Sequence, residues 1–521
     1  MVIDRALLEE LLYVLGGLVV LWFAWRVLEW GWLSPRRLGR ALRAQDLRGT
    51  AYRFPAGDLK DEARQLAAER AKPMPLQSHS ISARVQPLVH NAVKEHGKIS
   101  MIWVGPTPGV ILHDPKLVRE VLSNKFGHFK KEELPSRFMK LIGLGLLNHE
   151  GDKWAVHRKI INHAFLLEKL KKMLPAFTTC TSELISRWEN SMESAKAQEI
   201  DVWPELQDLT GDAISRAAFG SSISEGRRIF RIQSEQVQLA NHMTNLYIPG
   251  YTFLPTKVNR RIKANAREVE TLLKGIVTKR ERAMRNGHAD AGDLLGLLLQ
   301  SNAKESQESG SSKPMMTMDD IIGELKVFYF AGMETTSVLL TWTMIVLSMH
   351  PEWQDRARNE VHRTFGNKEP DVDGVNQLKI VTMVLYEVLR LYPPVTILER
   401  DTYKELELGG VRYPAGVKLL LPIVTIHHDP ALWGEDADEF RPERFAEGIS
   451  KASKDGPAFF PFGWGPRICI GQNFALLEAK IALSMILQRF EFQLSPSYTH
   501  APFPASTLQP DHGAQIKLKK I

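Results

Sequence analysis

The most pronounced hydrophobic pattern in the chain lies near its start. Residues 11–25, LLYVLGGLVVLWFAW, carry no charge, and the apolar tract continues past Arg26 and Glu29 as far as Leu33. The uncharged stretch is a little shorter than the ~18 to 20 residues that cross a bilayer, but the long Arg26 side chain can extend toward the headgroups. We therefore predict one N-terminal transmembrane helix, within an anchor of residues 1–35.

The flanks of this tract favour an uncleaved anchor over a cleaved secretory signal. Such a signal begins with basic residues and ends in small ones. Acidic residues precede the tract and bulky ones follow it, namely Asp4, Glu9, Glu10, Trp30 and Trp32. Arginines then cluster at positions 36, 37, 40, 43 and 48. By the positive-inside tendency, the body of residues 36–521 faces the cytosol.

Beyond the anchor, short extended patterns are few and helical periodicity dominates. KISMIWVG at residues 98–105 and GVILHD at residues 109–114 predict two paired strands, separated by the turn-forming PTPG. Further extended segments span residues 405–413 and 417–422. Residues 301–314 are poor in apolar side chains, which predicts an exposed loop. The fold class is accordingly mainly α with a small β region.

One helix is predicted to be far longer than average. Thr317 and Asp320 form a capping-box pattern, and residues 318–350 contain no proline. A second helix is expected after Pro351. A third is expected to end at LRLYPP, residues 389–394, because the two prolines cannot continue it. A helix of this length can cross a whole domain.

Composition excludes several classes of protein. The chain has 521 residues, 44% hydrophobic and 24% charged, which is typical of a globular protein. The net charge is +7, but the basic residues are scattered and no nucleic-acid motif accompanies them, so we expect no nucleic-acid partner. Cys180 and Cys469 are the two cysteines. They cannot supply a disulfide framework, which suits a reducing, cytosol-facing compartment.

The segment FGWGPRICIG surrounds Cys469 with glycines and a basic residue. A cysteine in a glycine-rich loop is more often a buried small side chain than a ligand, but a thiolate also binds soft metals and haem iron. The spacing of Phe462, Gly465, Arg467, Cys469 and Gly471 matches FxxGxRxCxG. This pattern resembles the haem-binding loop of the cytochrome P-450 family. The resemblance implies the cytochrome P-450 fold and haem b, iron protoporphyrin IX, with Cys469 as the axial iron ligand.

The long predicted helix carries a second resemblance. AGMETT, residues 331–336, is similar to the oxygen-activation motif of the family, with Glu334 and Thr335 as its acid-alcohol pair. Oxygen reduction at the haem requires protons, and a hydroxyl beside a carboxylate can relay them through water. The resemblance therefore implies a catalytic role for both residues.

A third resemblance concerns the scaffold. EVLR supplies Glu387 and Arg390, and PERF supplies Arg444; together they resemble the structural ion-pair triad of the family. The same E-x-x-R spacing recurs at residues 225–228 and 360–363. There we expect ordinary exposed pairs at i and i+3.

A fourth resemblance predicts contacts to the haem propionates. WAVHR is similar to the W-x-x-x-R motif of the family and places Trp154 and Arg158 one helical turn apart. Such a spacing is otherwise common in surface packing pairs. Arg400 in LERDTY and His427 in TIHHD stand where the family often adds further propionate contacts.

These motifs occur in the order of the family, and the resemblance extends from the anchor to the C-terminus. It is closest to plant microsomal members, in the clan that contains secologanin synthase. One departure is that the usual PPGP hinge after the anchor is absent, leaving the orientation of the body on the membrane open. The resemblance implies a haem-thiolate monooxygenase in the endoplasmic reticulum membrane that oxidises a hydrophobic small molecule, with a terpenoid expected.

No flavin- or nicotinamide-binding glycine fingerprint is evident, so electrons must come from a partner. The resemblance implies NADPH-cytochrome P-450 reductase, with cytochrome b5 as a further partner. Three lysines near the haem motifs are candidates for an acidic docking partner: Lys153, Lys159 and Lys480. The resemblance also implies candidate substrate contacts at residues 126–147, on the Ala331 side of the long helix, and at residues 395–398 and 506–508. The aromatic segment 247–255 either dips toward lipid or packs in the core.

Three alternatives stay open at this point. One is an oxygen-independent isomerase or dehydratase, although relatives of that kind tend to lose the acid-alcohol pair. Another is a non-catalytic haem-binding membrane protein. The third is an anchored helical protein without haem, in which Cys469 is only buried.

Overall fold

The computed structural model describes residues 5–124, 127–131, 143, 145–192, 197–219, 223–241, 254–286, 292–308 and 315–521. The helices in chain order are α1 (Arg5–Leu28), α2 (Ser34–Arg43), α3 (Leu59–Ala71), α4 (Ser82–Val85), α5 (Pro87–His96), α6 (Pro115–Ser123), α7 (Gly151–Ala164), α8 (Leu167–Leu170), α9 (Leu174–Ser191), α10 (Val202–Phe219), α11 (Ile223–Asn241), α12 (Lys257–Arg285), α13 (Leu294–Glu308), α14 (Met318–Met349), α15 (Pro351–Phe365), α16 (Val372–Gln377), α17 (Lys379–Leu391), α18 (Ile423–His427), α19 (Pro430–Trp433) and α20 (Gln472–Arg489).

The strands are β1 (Ile99–Val104), β2 (Thr107–Leu112), β3 (Phe129–Lys130), β4 (Ala197–Asp201), β5 (Leu398–Thr402), β6 (Leu406–Leu408), β7 (Val411–Tyr413), β8 (Lys418–Leu421), β9 (Phe490–Leu494), β10 (Pro502–Pro504), β11 (Leu508–Pro510) and β12 (Gln515–Lys520). The chain divides into two compact units. The sheet unit comprises Met1–Glu69, Gln86–Glu132 and Glu399–Pro422; the helical unit comprises Arg70–Val85, Glu133–Leu398 and Ile423–Ile521. This helix-dominated architecture agrees with the predicted fold class.

The N-terminal segment of the sheet unit is helical throughout its described length. Helix α1 passes through a π-helical turn, Glu29–Leu33, directly into α2. The span Glu9–Arg43 is long and apolar enough to cross a membrane, and none of its most apolar window is buried. This fits the predicted single transmembrane helix. The predicted domain boundary at residue 35 falls inside continuous helix and stays a prediction.

The sheet unit is built on a five-stranded sheet in the order β1-β2-β8-β5-β3. Strands β1 and β2 form the predicted hairpin, with Ile99 opposite Leu112. The turn is tighter than PTPG predicts: it lies at residues 105–106, and β2 already begins at Thr107. Gly105 has a φ of +59°, a conformation that glycine adopts without a steric penalty, and this allows the earlier reversal.

Helix α14 is the central element of the helical unit. Thr317 and Asp320 form the predicted capping box at its start. By length and composition α14 could also span a membrane, but 78% of its most apolar window is buried, which identifies it as a core helix. Trp342 on α14 stacks on Tyr392 with ring centroids 4.4 Å apart. The predicted helices after Pro351 and up to the LRLYPP segment are confirmed as α15 and α17.

The prediction of an exposed loop at residues 301–314 is wrong for its first part. Residues up to Glu308 continue α13, while 309–314 lie outside the described residues. Some polar side chains of this segment point into the protein interior. Asn302 donates from its amide to the Met316 carbonyl and accepts from the Met316 N–H, both at 2.9 Å. Because such hydrogen bonds satisfy buried polar groups, a polar segment can be buried without an apolar pattern in its sequence.

Glu360 also differs from its prediction. Its carboxylate does not serve an ordinary i,i+3 pair but caps α17, accepting the N–H groups of Lys379 at 2.7 Å, Ile380 at 2.9 Å and Val381 at 2.9 Å. A helix N-terminus presents unpaired N–H groups and a partial positive charge, which favour an anion. The contact ties α15 to the helix that carries Glu387 and Arg390.

Candidate functional site

The segment that carries Cys469 lies between a short 3-10 turn, residues 465–467, and the start of α20. Gly463 and Gly465 have φ angles of +75° and +72°, which residues with a side chain rarely adopt. The Cys469 N–H donates to the Phe462 carbonyl at 2.8 Å. The glycine spacing of the sequence thus corresponds to a tight backbone reversal around the cysteine.

The surroundings of the Cys469 sulfur act on its acidity in opposite directions. Cys469 as a residue is exposed, yet protein atoms crowd its thiol, and this desolvation raises the pKa of the thiol. The Gly471 N–H hydrogen-bonds the sulfur, and Arg158 places a positive charge nearby; both lower the pKa. A sulfur with an N–H donor and a cation beside it is suited to act as a thiolate ligand.

Two arginines and a tryptophan converge on the same loop. Arg158 on α7 donates to the Ile468 carbonyl at 2.9 Å. The Arg467 guanidinium lies 4.5 Å from the centroid of the Trp154 ring and pairs with Glu150 at 2.5 Å. Desolvation lowers the pKa of both arginines. Two desolvated guanidinium groups are a favourable environment for a carboxylate.

The structure brings the three predicted triad residues together. Arg390 donates to both oxygens of Glu387, at 2.8 and 2.7 Å, and Arg444 Nε lies 3.4 Å from Glu387 Oε1. Glu387 and Arg390 are both fully buried. Further Arg390 donors bind the carbonyl oxygens of His427, Ala437 and Glu439. The ion pair is therefore surrounded by hydrogen bonds that tie α17 to the chain before the cysteine loop.

The other two predicted propionate contacts occupy different settings. His427 is fully buried; its Nε2 accepts from the Phe460 N–H at 3.0 Å, so its Nδ1 carries the proton and donates to the Arg390 carbonyl at 3.1 Å. With both ring nitrogens used, His427 is better suited to the scaffold than to a propionate. Arg400 is buried in β5 of the sheet unit and donates to the Glu399 carbonyl at 2.7 Å. Its haem contact stays a prediction.

Glu334 and Thr335 are adjacent on α14 but bind different partners. The Thr335 hydroxyl donates to the Ala331 carbonyl at 2.7 Å, within its own helix. The buried Glu334 Oε1 accepts from the Thr507 hydroxyl at 2.7 Å and from the Gln509 amide at 2.5 Å. Burial raises the pKa of Glu334, while these hydrogen bonds lower it.

The two partners of Glu334 were not identified from the sequence. They lie 173 and 175 residues further along the chain, so no local spacing connects them to the helix. Thr507 fell within the segment 506–508 that was predicted to contact substrate. The available signal is three polar residues, Ser506, Thr507 and Gln509, in an otherwise apolar and proline-rich stretch.

Among the described residues, one group has the composition of a metal site. Donor atoms of His149, His157 and Asp320 lie within 4.8 Å of one another. Each of the last two already has a partner: His157 Nδ1 is 2.6 Å from Glu324 Oε1, and Asp320 Oδ1 is 2.6 Å from the Lys153 ammonium. The lysine supplies the positive charge that Asp320 requires, so ion pairing accounts for this group without a metal.

The lysines predicted to dock a redox partner are in part committed to neighbours. Lys153 pairs with Asp320, and Lys159 pairs with Glu305 at 2.6 Å. Lys480 is half-buried, and desolvation lowers its pKa. Their docking role stays a prediction.

The predicted substrate segments are described only in part. Most of residues 126–147 and 247–255 lies outside the described residues. Ala331 and Val395 are exposed and do not belong to the packed core. A substrate contact by either residue stays a prediction.

The site as a whole has the arrangement that a haem-thiolate protein requires, namely a thiol in a glycine-bounded turn beside two guanidinium groups. Comparison with known proteins gives the same class. Residues 73–518 match the family model of cytochrome P450, and the chain belongs to this family. The family and the fold imply a haem with a thiolate ligand, and the residues at the Cys469 loop fit such a group.

Curated relatives match over nearly the full length. The chain is 58% identical to cytochrome P450 CYP72A616 of Paris polyphylla over 515 residues, 98% of this chain and 99% of the relative. It is 51% identical to cytochrome P450 72A397 of Kalopanax septemlobus, over 96% of each chain. The predicted resemblance to plant members of this clan is confirmed.

A solved structure supports the fold. The retinoic-acid-bound cyanobacterial CYP120A1 aligns with a TM-score of 0.73 at 22% identity, covering 86% of this chain and 98% of that one. At this identity the likeness concerns the fold alone. The predicted cytochrome P-450 fold is thereby confirmed.

Proposed function

We propose that the protein is a membrane-anchored monooxygenase that oxidises a terpenoid, using a haem whose iron is ligated by Cys469. Electrons come from NADPH through a membrane-bound reductase, with cytochrome b5 as a second donor. The protein resides in the endoplasmic reticulum membrane with its catalytic body facing the cytosol. The N-terminal apolar helix supports the anchoring, and the plant relatives support the clan from which the substrate class is taken.

One observation carries this proposal: an N–H donor and two guanidinium groups converge at the single loop that presents Cys469. When bound there, a thiolate-ligated haem supplies the activation of dioxygen. Arg158 and Arg467 would hold the propionates, Trp154 would support the Arg467 guanidinium, and the Gly471 N–H would moderate the basicity of the sulfur.

Residues on α14 perform the remaining chemistry. The Thr335 hydroxyl, which donates to the Ala331 carbonyl, would be the last protein group in a relay that delivers protons for dioxygen reduction. Glu334 would supply protons to Thr335 through water, because burial raises the pKa of its carboxyl and favours the protonated form more than in an exposed glutamate.

The ligand assignment is tested by the reduced carbon monoxide spectrum of the full-length protein. We expect the red-shifted Soret band of a thiolate-ligated ferrous carbonyl, and Cys469→Ser should abolish it. Cys180→Ser is the matched control: this thiol is buried in α9, burial raises its pKa to about 12, and the band should persist. A band that survives Cys469→Ser, or a nitrogen-ligated spectrum in the unaltered protein, would refute the assignment.

The substrate class is tested by a product screen with reductase, NADPH and a panel of terpenoids, read by mass spectrometry. A product heavier by one oxygen atom supports the proposal. Product formation without NADPH consumption would instead favour an isomerase or dehydratase. A haem-containing protein that neither consumes NADPH nor forms a product from any compound would count against a terpenoid oxygenase.

A further inference from the structure

The C-terminal hairpin of β10 and β11 is joined to α14 at two levels. Trp342 Nε1 on α14 donates to the Leu508 carbonyl at 2.7 Å, and the Leu508 N–H donates to the Pro394 carbonyl at 3.1 Å. Two turns of helix earlier, Glu334 accepts the hydrogen bonds of Thr507 and Gln509. The hairpin is thus fixed to the helix by its backbone and holds the glutamate with its side chains.

The bonds to Glu334 have an unusual chemical character for a buried carboxylate. A buried carboxylate is normally paired with a cation. Within the described part of the chain, the side chains that hydrogen-bond Glu334 are neutral: Thr507, Gln509 and, from α10, Gln207. Thr507 and Gln509 themselves lie 3.4 Å apart, between the Thr507 oxygen and the Gln509 amide nitrogen. Neutral donors fix the position of the carboxyl without the charge that would hold it permanently ionised.

We propose that Thr507 and Gln509 are positioning residues for Glu334, which fix its carboxyl for proton supply to the reaction. This rests on the proposed role of Glu334. It also revises the assignment of residues 506–508: the Thr507 hydroxyl is committed to Glu334 and is not free for substrate. Loss of the two donors removes the fixed orientation of the carboxyl and destabilises its ionised form. Proton supply is then less efficient, and more of the NADPH electrons reduce dioxygen to hydrogen peroxide.

The test uses isosteric variants of the full-length holoprotein. Thr507→Val removes the hydroxyl, Gln509→Leu removes the amide, and Thr507→Ser is the conservative variant that should restore wild-type behaviour. Thr343→Val is the matched control, since Thr343 is buried on α14, the helix that carries Glu334, and its hydroxyl donates to the Leu339 carbonyl at 2.7 Å. The retained carbon monoxide band verifies that each variant is folded.

The first readout does not depend on turnover. The infrared carbonyl stretch of the protonated Glu334 carboxyl, identified by its loss in Glu334→Gln, is titrated with pH. We expect its midpoint to move upward in Thr507→Val and further in the double variant, because hydrogen bonds to the ionised form are lost. Thr507→Ser and Thr343→Val should keep the wild-type midpoint. Should Thr507→Val lack haem, Gln509→Leu tests the same carboxyl oxygen.

The second readout is the share of NADPH electrons recovered as hydrogen peroxide in the presence of reductase. We expect a several-fold rise in Thr507→Val and Gln509→Leu and none in Thr343→Val. If Glu334→Gln itself leaves this share unchanged, the proposed proton role of Glu334 fails, whatever the infrared midpoints show. If Glu334→Gln raises it while both donor variants keep the wild-type midpoint and peroxide share, the positioning role is refuted.

Discussion

Two buried glutamates in the helical unit differ in the charge of the groups that bind them. Glu387 on α17 lies between the guanidinium groups of Arg390 and Arg444. Glu334 on α14 is bonded by the hydroxyl of Thr507 and the amide of Gln509. Both side chains are at most 4% exposed, so burial does not distinguish them. The difference lies in the charge of their partners.

This difference separates scaffold from chemistry. Cations at contact distance stabilise the ionised form of a carboxylate, which suits a fixed structural role better than proton transfer. A carboxyl held by neutral donors keeps its place while its protonation state remains adjustable. On the proposed function, the chain therefore uses an ion pair where α17 must be rigid and neutral hydrogen bonds where a proton is needed.

The largest expected effect follows from breaking the ion pair. Glu387→Gln leaves Arg390 buried with no carboxylate, and loss of one partner of a buried pair typically costs ~3–5 kcal/mol. We expect a much lower midpoint of thermal unfolding by circular dichroism and a poor yield of haem-containing protein. Glu491→Gln is the control: its pair with Lys519, at 3.0 Å, has both side chains more than half exposed. Such a pair contributes ~0–1 kcal/mol. Equal losses in the two variants would contradict the comparison.

A third buried glutamate, Glu478, extends the comparison to a carboxyl group without a hydrogen-bond partner among the described residues. Glu478 on α20 is 1% exposed, and neither carboxyl oxygen has a hydrogen-bond partner among the described residues. Burial raises its pKa well above the usual value. At pH values between the unfolded and the folded pKa, the folded protein therefore holds a proton that the unfolded chain releases.

The sign of the resulting pH dependence is fixed. A raised carboxyl pKa leaves stability intact below the unfolded pKa and reduces it as pH rises above that value, by at most ~1.4 kcal/mol per pH unit. Glu478→Gln removes this loss. We therefore expect the variant to unfold at a higher temperature than the wild type at pH 8, with the advantage shrinking toward pH 5. An advantage independent of pH would show that Glu478 is ionised in the folded protein.

Features that depend on residues close together in the chain could be predicted from the sequence. The capping box at Thr317, the helix stop at LRLYPP and the glycine spacing around Cys469 each depend on neighbouring residues, and the structure shows the corresponding elements. Glu387 and Arg390 are one turn apart, so their contact was also accessible.

Contacts between distant segments could not be predicted in this way. The donors of Glu334 come from the C-terminal hairpin, and the carboxylate of Glu360 caps a helix 19 residues further on. Asn302 is polar within a polar run, and only the folded chain shows that it is buried against Met316. In each case the partner is chosen by tertiary packing, which leaves no periodic pattern in the chain.

The smallest expected effect belongs to Glu334 itself. Its pKa is also raised by burial, so Glu334→Gln should become more stable than the wild type as pH rises above the unfolded pKa. The gain should be smaller than that of Glu478→Gln at every pH, because Thr507 and Gln509 stabilise the ionised carboxylate and reduce the upward shift. Unfolding midpoints of both variants and the wild type, measured between pH 5 and 8, decide the ranking. A stability loss in Glu334→Gln that grows with pH would mean that the folded protein stabilises the ionised form of Glu334, and the contrast with the cation-paired Glu387 would fail.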